Sequence, residues 1–178
     1  MEYQQILETR KSIRAYDPEK KVTAEQVQEM VEAAILAPSW KNFQSARYYA
    51  ALSDEMIARV AEECLPSFNA KSSKGAAYIV TTFVKGQAGH NLEGVPDNEL
   101  GDCWGCYDAG LHNENLVLKA TEMGLGTLIM GIRDEAACRR LFAIPEEETV
   151  MAIIAVGYPA QEPPRRPRKT PEEILKIF

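Results

Sequence analysis

The sequence predicts one globular domain in which helices and strands alternate along the chain. The length of 178 residues and the hydrophobic share of 46% are typical of a soluble domain with a sizeable core. Stretches whose apolar residues recur with helical spacing lie between short, continuous apolar runs of the kind found in strands. No internal repeat and no linker-like segment interrupts this order. We therefore expect a single domain over residues 1–178.

The N-terminal part of the chain is predicted to form two helices. Residues 2–9 form a short one, and a second begins at Thr23, because Thr23-Ala-Glu-Gln26 is a capping box. The apolar stripe of this second helix consists of Val27, Met30, Val31, Ala34 and Ile35. Pro38 then marks its end, since the residue before a proline disfavours helical geometry.

The next segments are predicted to place two strands around one helix. Residues 47–52 form a strand, and Ser53 caps a helix whose buried face is Ile57, Val60, Ala61 and Cys64. The run 76–84 is continuously apolar and β-rich, which is typical of an interior strand. Residues 86–101 are polar and rich in Gly and Asn, so we expect an exposed loop.

The C-terminal half continues the alternation. In order, the pattern predicts helix 108–123, strand 127–131, helix 134–142, strand 149–157 and a short helix after the capping box Thr170-Pro-Glu-Glu173. Gly124 is expected to end the first of these helices, because glycine adopts the left-handed conformation that closes a helix.

Composition excludes several classes of protein. The formal net charge of -6 disfavours general nucleic-acid binding, which depends on a broad basic field. No apolar stretch approaches the roughly 20 residues that span a bilayer, so no membrane segment is predicted. The four cysteines, at positions 64, 103, 106 and 138, are too few and too irregular for a secreted disulfide framework. We therefore expect a cytoplasmic protein.

Two short cationic stretches stand out on this acidic chain. The first contains Arg10, Ser12 and Arg14, which are two residues apart and face the same way if the backbone is extended. The second is Arg165-Arg166-Pro-Arg168-Lys169 near the C-terminus. Arginine forms paired hydrogen bonds to phosphate oxygens, and a serine hydroxyl adds another. Together the two stretches predict a phosphate site, although either alone is typical of a solvated surface turn.

A polar loop follows the second predicted helix, at Ala37-Pro38-Ser39-Trp40-Lys41-Asn42-Phe43-Gln44. Its Ser, Asn and Gln side chains offer donors and acceptors, which suits the edge of a flat heterocycle. The simpler interpretation is a helix-terminating loop in which Ser39 and Asn42 bond to local backbone groups.

With these motifs in this order, the sequence resembles the nitroreductase family of FMN-dependent oxidoreductases over nearly its whole length. The motifs that carry the resemblance are Arg10-x-Ser12-x-Arg14, Ala37-Pro38-Ser39-x-x-Asn42-x-Gln44, Asp108-Ala-Gly, Gly124-Leu-Gly126-Thr, Val156-Gly-Tyr-Pro159 and Arg166-Pro-Arg168-Lys169. The resemblance implies an α+β, three-layer fold with a central, mostly antiparallel sheet flanked by helices. It also implies an intertwined homodimer with FMN at a site shared between the two chains.

The resemblance also implies roles for individual residues, all of them cofactor-binding. The phosphate and the pyrimidine side of FMN would be held by Arg10, Ser12, Arg14, Arg166 and Arg168. The partner chain would contribute the loop residues Pro38, Ser39, Asn42 and Gln44. Ring contacts would come from Asn69 and from the backbone at Gly124, Gly126 and Thr127. Neither a metal ligand nor a catalytic side chain is expected, because the chemistry would occur at N5 of FMN.

The activity that the resemblance implies is a ping-pong reduction. NADH or NADPH would act as a transient hydride donor to FMN, and a small electron-poor acceptor such as a nitroaromatic or a quinone would then be reduced. Loop 86–101, with His90, is expected to influence the choice of acceptor. Other redox tasks of the family, dehalogenation and flavin fragmentation, remain open. A further alternative is a non-catalytic thiol or metal-binding sensor that uses Cys103 and Cys106.

Overall fold

The computed structural model describes residues 2–178, and helices and strands alternate along them as the sequence predicts. The seven α-helices of this part of the chain are α1 Tyr3–Thr9, α2 Ala24–Ala34, α3 Asp54–Arg59, α4 Ser67–Ser72, α5 Cys103–Glu122, α6 Glu135–Phe142 and α7 Pro171–Ile174. The four strands are β1 Ala46–Ala51, β2 Ala77–Val84, β3 Gly126–Met130 and β4 Glu148–Gly157. A short 3₁₀ turn spans Trp40–Asn42, and α3 continues into one π-helical turn, Val60–Cys64.

The strands form one sheet in the order β1-β2-β4-β3, and every neighbouring pair is antiparallel. Ile79 lies opposite Ile154 at the centre, where β2 pairs with β4. The register shifts between Thr81 and Thr82, as in a β-bulge. The run 76–84 is an interior strand, as predicted, and its residues are almost all buried.

Helices cover both faces of the sheet, because successive side chains of a strand point to opposite sides. Tyr78 and Val80 pack with α6 and the π-helical turn, whereas Ala77 and Ile79 pack with α2 and α5. The result is two apolar cores separated by the sheet. This three-layer α+β arrangement with a mostly antiparallel sheet confirms the expected fold class.

The start signals of the helices behave as the sequence predicts. The hydroxyl of Thr23 accepts the Gln26 N–H at 3.2 Å, and the Gln26 side chain accepts the Thr23 N–H at 3.1 Å. Met30 and Ala34 of the predicted stripe are fully buried. The prediction fails at Ile35, which lies just beyond α2 and is 54% exposed, because the helix ends one residue earlier.

The structure corrects one helix boundary and adds one helix. Helix α5 begins at Cys103, five residues before the predicted start, and includes Gly105. A Cβ atom at Gly105 would lie 2.4 Å from the Phe83 ring, so packing against β2 overrides the weak helix propensity of glycine. Helix α4, which starts after Pro66, was not predicted.

Two further expectations concern the chain as a whole. The predicted domain starts at residue 1, which lies outside the described residues, and its extent stays a prediction. No helix within residues 2–178 is both long and apolar enough to cross a membrane.

Candidate functional site

The two cationic stretches, more than 150 residues apart in sequence, meet in one cavity of about 280 Å³. All five predicted phosphate-binding residues line it, namely Arg10, Ser12, Arg14, Arg166 and Arg168. The remaining lining residues are Lys11, Pro163, Pro164 and Arg165. We call this space the cationic cavity.

The edge strand β3 holds the first stretch in place. Ser12 forms an isolated parallel bridge with Thr127, and the N–H of Ile13 donates to the Thr127 carbonyl oxygen at 2.9 Å. Ile13 is buried in the core, so extended geometry turns its neighbours Ser12 and Arg14 toward the cationic cavity. The prediction that residues 10, 12 and 14 share a face is therefore confirmed.

Helix α1 holds the second stretch in place through Arg165. The guanidinium of Arg165 donates to the carbonyl oxygen of Glu8 at 2.7 Å and more weakly to that of Leu7 at 3.4 Å. These carbonyls belong to the last turn of α1, which carries partial negative charge and attracts cations. Arg165 thus fastens the tail to α1 and leaves Arg166 and Arg168 at the cavity.

The cationic cavity carries charge that nearby carboxylates leave largely unbalanced. Lys11 pairs with Glu162 at 2.7 Å, and Arg10 lies 4.0 Å from Glu114. Across residues 2–178, no carboxylate oxygen lies within 4.0 Å of the side-chain nitrogens of the three other predicted arginines, Arg14, Arg166 and Arg168. Three such forks around one cavity suit an anion with several oxygens.

Two glycines from the predicted set line an adjacent cavity instead. This second cavity, of about 440 Å³, contains Gly124 and Gly126 in its lining and shares Lys11 with the cationic cavity. Gly124 has φ +77° and ends α5, as predicted. Gly126 begins β3, and a Cβ atom there would lie 2.5 Å from Cγ1 of Ile13. Close packing against the first cationic stretch is thus one reason why this position is glycine.

The predicted loop Pro38, Ser39, Asn42 and Gln44 does not line either cavity of this chain. We call residues 39–44 the strained loop, because Lys41, Asn42 and Gln44 have φ of 47°, 58° and 50°. Such left-handed conformations cost non-glycine residues on the order of 1 kcal/mol each and cluster at functional sites. The Ser39 hydroxyl accepts the Gln44 N–H at 3.0 Å, which is the local bond that the simpler interpretation predicts.

Two side chains of the strained loop are free to bind something else. Asn42 and Gln44 are exposed, and their side-chain amides form no hydrogen bond within the described part of the chain. Strain combined with uncommitted polar groups favours a binding role for this loop over a purely structural one.

The remaining predicted residues lie at other places. Asn69 is on α4, where its amide donates to the Ile132 carbonyl oxygen at 3.0 Å, and it lines neither cavity. Thr127 is buried beneath Ser12 and contributes its carbonyl oxygen to the bridge. The lysines that follow Asn69 in sequence, Lys71 and Lys74, are exposed and also lie outside both cavities.

Two cationic residues in the lining of the cationic cavity fall outside the predicted set. Lys11 and Arg165 both lie inside the cationic stretches. Alternation placed Lys11 on the opposite face from Arg10 and Ser12, but its long side chain reaches both cavities. Arg165 could have been found from charge alone.

The cysteines Cys103 and Cys106 are exposed on the first turn of α5. Partial burial of the Cys106 thiol, followed by the neighbouring Cys103 and Asp102, raises its pKa, which disfavours the reactive thiolate. Within residues 2–178 no group of three or more His, Cys, Asp and Glu side chains could hold a metal ion.

Known proteins resemble this chain in sequence and in fold. Residues 7–158 match the Nitroreductase family. A protein of Archaeoglobus fulgidus, provisionally named NADH dehydrogenase/NAD(P)H nitroreductase, is 30% identical over 161 residues, which cover 88% of this chain and 85% of that protein.

Solved structures agree on the fold. A nitroreductase family protein from Streptococcus pneumoniae superimposes with a TM-score of 0.84 at 20% identity, covering 99% of this chain and all of that one. A provisionally named nitroreductase from Exiguobacterium sibiricum, solved in complex with FMN, gives a TM-score of 0.82 at 22% identity, covering 100% and 98% of the two chains. The sequence match over most of its length and the shared fold lead to one conclusion: this chain belongs to the nitroreductase family.

Proposed function

We propose that this protein is an FMN-dependent oxidoreductase that uses NADH or NADPH to reduce small electron-poor acceptors such as nitroaromatics and quinones. The observation that carries the proposal is the convergence of five predicted residues on one cationic cavity. The family match, the name of the A. fulgidus relative and the FMN bound in the E. sibiricum neighbour support it.

The cationic cavity fits the phosphate of FMN by the chemistry of its donors. Guanidinium groups of Arg10, Arg14 and Arg168 can each form charge-assisted hydrogen bonds with phosphate oxygens, and the Ser12 hydroxyl can donate one more. The chain as a whole has a net charge of -6, so the cations of this cavity are gathered on an otherwise acidic protein. Pro163 and Pro164 stiffen the segment that brings Arg166 and Arg168 to it.

Bound FMN would supply the capacity to accept a hydride from the nucleotide and to pass it to the acceptor. The chain's own residues would hold the phosphate, and Arg10 or Arg14 would stabilise the negative charge that the flavin ring gains when it is reduced. The nucleotide and the acceptor would occupy the same place in turn, which gives ping-pong kinetics. Protons would come from solvent.

We propose that the site is completed in a homodimer. Neither the strained loop nor the preceding Pro38 lines the cationic cavity of its own chain, so Pro38, Ser39, Asn42 and Gln44 would contact the cofactor bound by the partner subunit. Asn69, Gly124, Gly126 and Thr127 would approach the ring system from their own chain. A cytoplasmic location stays a prediction from the cysteine usage.

The visible absorption spectrum of the purified protein tests this function. We expect flavin bands, present as isolated or after incubation with FMN, that bleach anaerobically when NADPH or NADH is added. Reoxidation by a nitroaromatic or a quinone would then identify the class of acceptor. A protein that stays colourless after incubation with FMN would refute the proposal, and bound FMN that neither nucleotide reduces would refute the reductase activity.

A further inference from the structure

The strained loop is held by a side chain of another element, Asp108 on α5. One carboxylate oxygen, Oδ2, accepts the backbone N–H of Trp40 at 2.8 Å. Trp40 starts the 3₁₀ turn, in which the N–H of Phe43 donates to the Trp40 carbonyl oxygen at 2.9 Å. Asp108 therefore acts as a cap for this turn, although it lies 68 residues away in sequence.

The same helix also holds the loop through an aromatic contact. The rings of Trp40 and Trp104 lie 4.7 Å apart at an interplanar angle of 46°. Trp104 is four residues before Asp108, so both lie on one side of α5, one turn apart. The indole nitrogen of Trp104 donates to the Asn98 side chain at 2.9 Å, which fixes the ring. Helix α5 thus contacts both the backbone of Trp40, through Asp108, and its side chain, through Trp104.

Loop 86–101 adds a third attachment. The ammonium group of Lys41 lies 2.6 Å from a carboxylate oxygen of Asp97 and donates to the His90 carbonyl oxygen at 3.2 Å. Both Lys41 and Asp97 are partly exposed, so solvent screening limits what this ion pair contributes. The hydrogen bond to Asp108 is the stronger constraint, because Asp108 is only 3% exposed.

Burying a carboxylate costs free energy, because the charged group loses its contact with water. Burial raises the pKa of Asp108, and the hydrogen bond from Trp40 and the neighbouring His112 only partly oppose this increase. The hydrogen bond to Trp40 offsets this cost if it keeps Lys41, Asn42 and Gln44 in left-handed conformations that would otherwise relax.

We propose that Asp108 is a positioning residue for the cofactor site: its carboxylate holds the strained loop in the conformation that presents Asn42 and Gln44 to FMN. The inference rests on the proposed function. Asp108 itself would touch neither FMN nor acceptor, because it lies behind the loop and bonds to its backbone.

The two tryptophans provide a direct measurement of the loop position without any cofactor. The chain has only two, Trp40 and Trp104, and both are in this contact. Closely spaced indoles give an exciton couplet in far-ultraviolet circular dichroism, which disappears when the rings separate. The couplet of the apo protein therefore reports whether the strained loop is in place beside α5, and flavin fluorescence quenching measures FMN affinity separately.

Three variants of Asp108 and one control make up the experiment. Asp108→Ala removes the acceptor, Asp108→Leu removes it while keeping the core filled, and Asp108→Asn keeps an acceptor oxygen. Asn113→Ala is the matched control, since Asn113 is a buried polar residue on the same helix whose amide bonds to Thr81 at 3.3 Å, away from the loop.

For Asp108→Ala and Asp108→Leu we expect loss of the couplet and FMN binding that is weaker by about tenfold, the scale of one lost charge-assisted hydrogen bond. Asp108→Asn should restore both signals to near wild-type values, and Asn113→Ala should leave both unchanged. If Asp108→Leu folds and keeps the couplet, Asp108 does not position the loop and the inference is wrong.

The remaining outcomes separate this inference from the proposed function. Loss of the couplet with unchanged FMN affinity, in a wild type that binds FMN, overturns the inference and leaves the proposed function standing. A wild type that fails to bind FMN refutes the proposed function, and the role of Asp108 toward FMN is refuted with it.

Discussion

Ser12 lies beside Thr127 in a parallel bridge, and this contact adds the first cationic stretch to the edge of an otherwise antiparallel sheet. Strand β3 is one of the two edge strands, so its free hydrogen-bonding groups can receive this segment. One hydrogen bond of 2.9 Å, from the Ile13 N–H to the Thr127 carbonyl oxygen, fixes the register of this segment against β3. The position of the arginines around the cationic cavity therefore depends on how closely this segment approaches β3.

Gly126→Ala should disturb that approach. The added Cβ atom would lie 2.5 Å from Cγ1 of Ile13, closer than packed atoms allow, and 3.0 Å from Cγ of Pro159, which is a tight contact. We expect a loss of about 2 kcal/mol in the free energy of unfolding, typical of overpacking, and weaker FMN binding because the cationic stretch shifts. Urea denaturation and flavin titration measure the two effects.

Gly110→Ala is the control for this substitution. Gly110 is exposed on α5, and no heavy atom outside the local helix lies within 4 Å of its ideal Cβ position. Alanine there should raise the free energy of unfolding by up to about 1 kcal/mol through helix propensity, with no change in FMN affinity. Equal behaviour of the two variants would show that the contact between Gly126 and Ile13 is unimportant.

Arg10→Ala, Arg14→Ala and Arg168→Ala should each weaken FMN binding by about tenfold, since each removes a charge-assisted donor from a partly exposed site. Binding to the wild type should also weaken as salt rises, because exposed charges are screened. Fluorescence titration of apo protein with FMN at two ionic strengths gives both results.

Two variants outside the cationic cavity serve as controls for the arginines. Arg59→Ala removes an arginine of α3 that pairs with Glu63 at 2.9 Å, and Cys103→Ala removes an exposed thiol. Both should retain FMN as the wild type does. Equal retention in all five variants would contradict the assignment of the cavity.

Short-range signals in the sequence were sufficient to predict much of this fold. The capping box at Thr23, the stop at Gly124 and the alternation from Arg10 to Arg14 each depend on neighbouring residues, and each is present in the structure. The family resemblance added the three-layer arrangement, which no single motif specifies.

Contacts between distant residues were beyond the reach of the sequence patterns. The early start of α5 depends on the fit of Gly105 against Phe83, two elements that meet only in the folded chain. The bond from Trp40 to Asp108 likewise has no local signature. The two cationic stretches were expected to form one phosphate site, and Arg165 shows the physical cause of their convergence, since it ties the tail to the end of α1.

Tyr16 makes the stability of the protein sensitive to alkaline pH. Its hydroxyl donates to the Ile13 carbonyl oxygen at 2.9 Å, and burial raises the pKa of this phenol above its ordinary value of about 10. The unfolded chain therefore loses this proton at a lower pH than the folded chain does. It follows that the free energy of unfolding falls as the pH rises above about 10.

Tyr16→Phe should reduce that sensitivity. We expect the variant to be less stable at pH 7 by about 1 kcal/mol, the net value of a hydrogen bond, but to lose less stability between neutral and alkaline pH. The pKa of Tyr48, which burial raises to about 12, still contributes in the variant, so the slope decreases without vanishing. Urea denaturation at several pH values checks this; identical slopes in the two proteins would contradict the role of Tyr16.

Gln44→Gly separates the strain of the loop from its proposed contact with FMN. Gln44 has φ +50°, a conformation that glycine adopts without steric cost, so the variant should gain up to about 1 kcal/mol in stability. Ala143→Gly is matched in geometry, because Ala143 has φ +52° at the end of α6 and lines neither cavity. Both variants should be stabilised, whereas only Gln44→Gly should bind FMN more weakly. Urea denaturation and flavin titration test the pair, and unchanged FMN affinity in Gln44→Gly would mean that the loop carries its strain for a reason other than the cofactor.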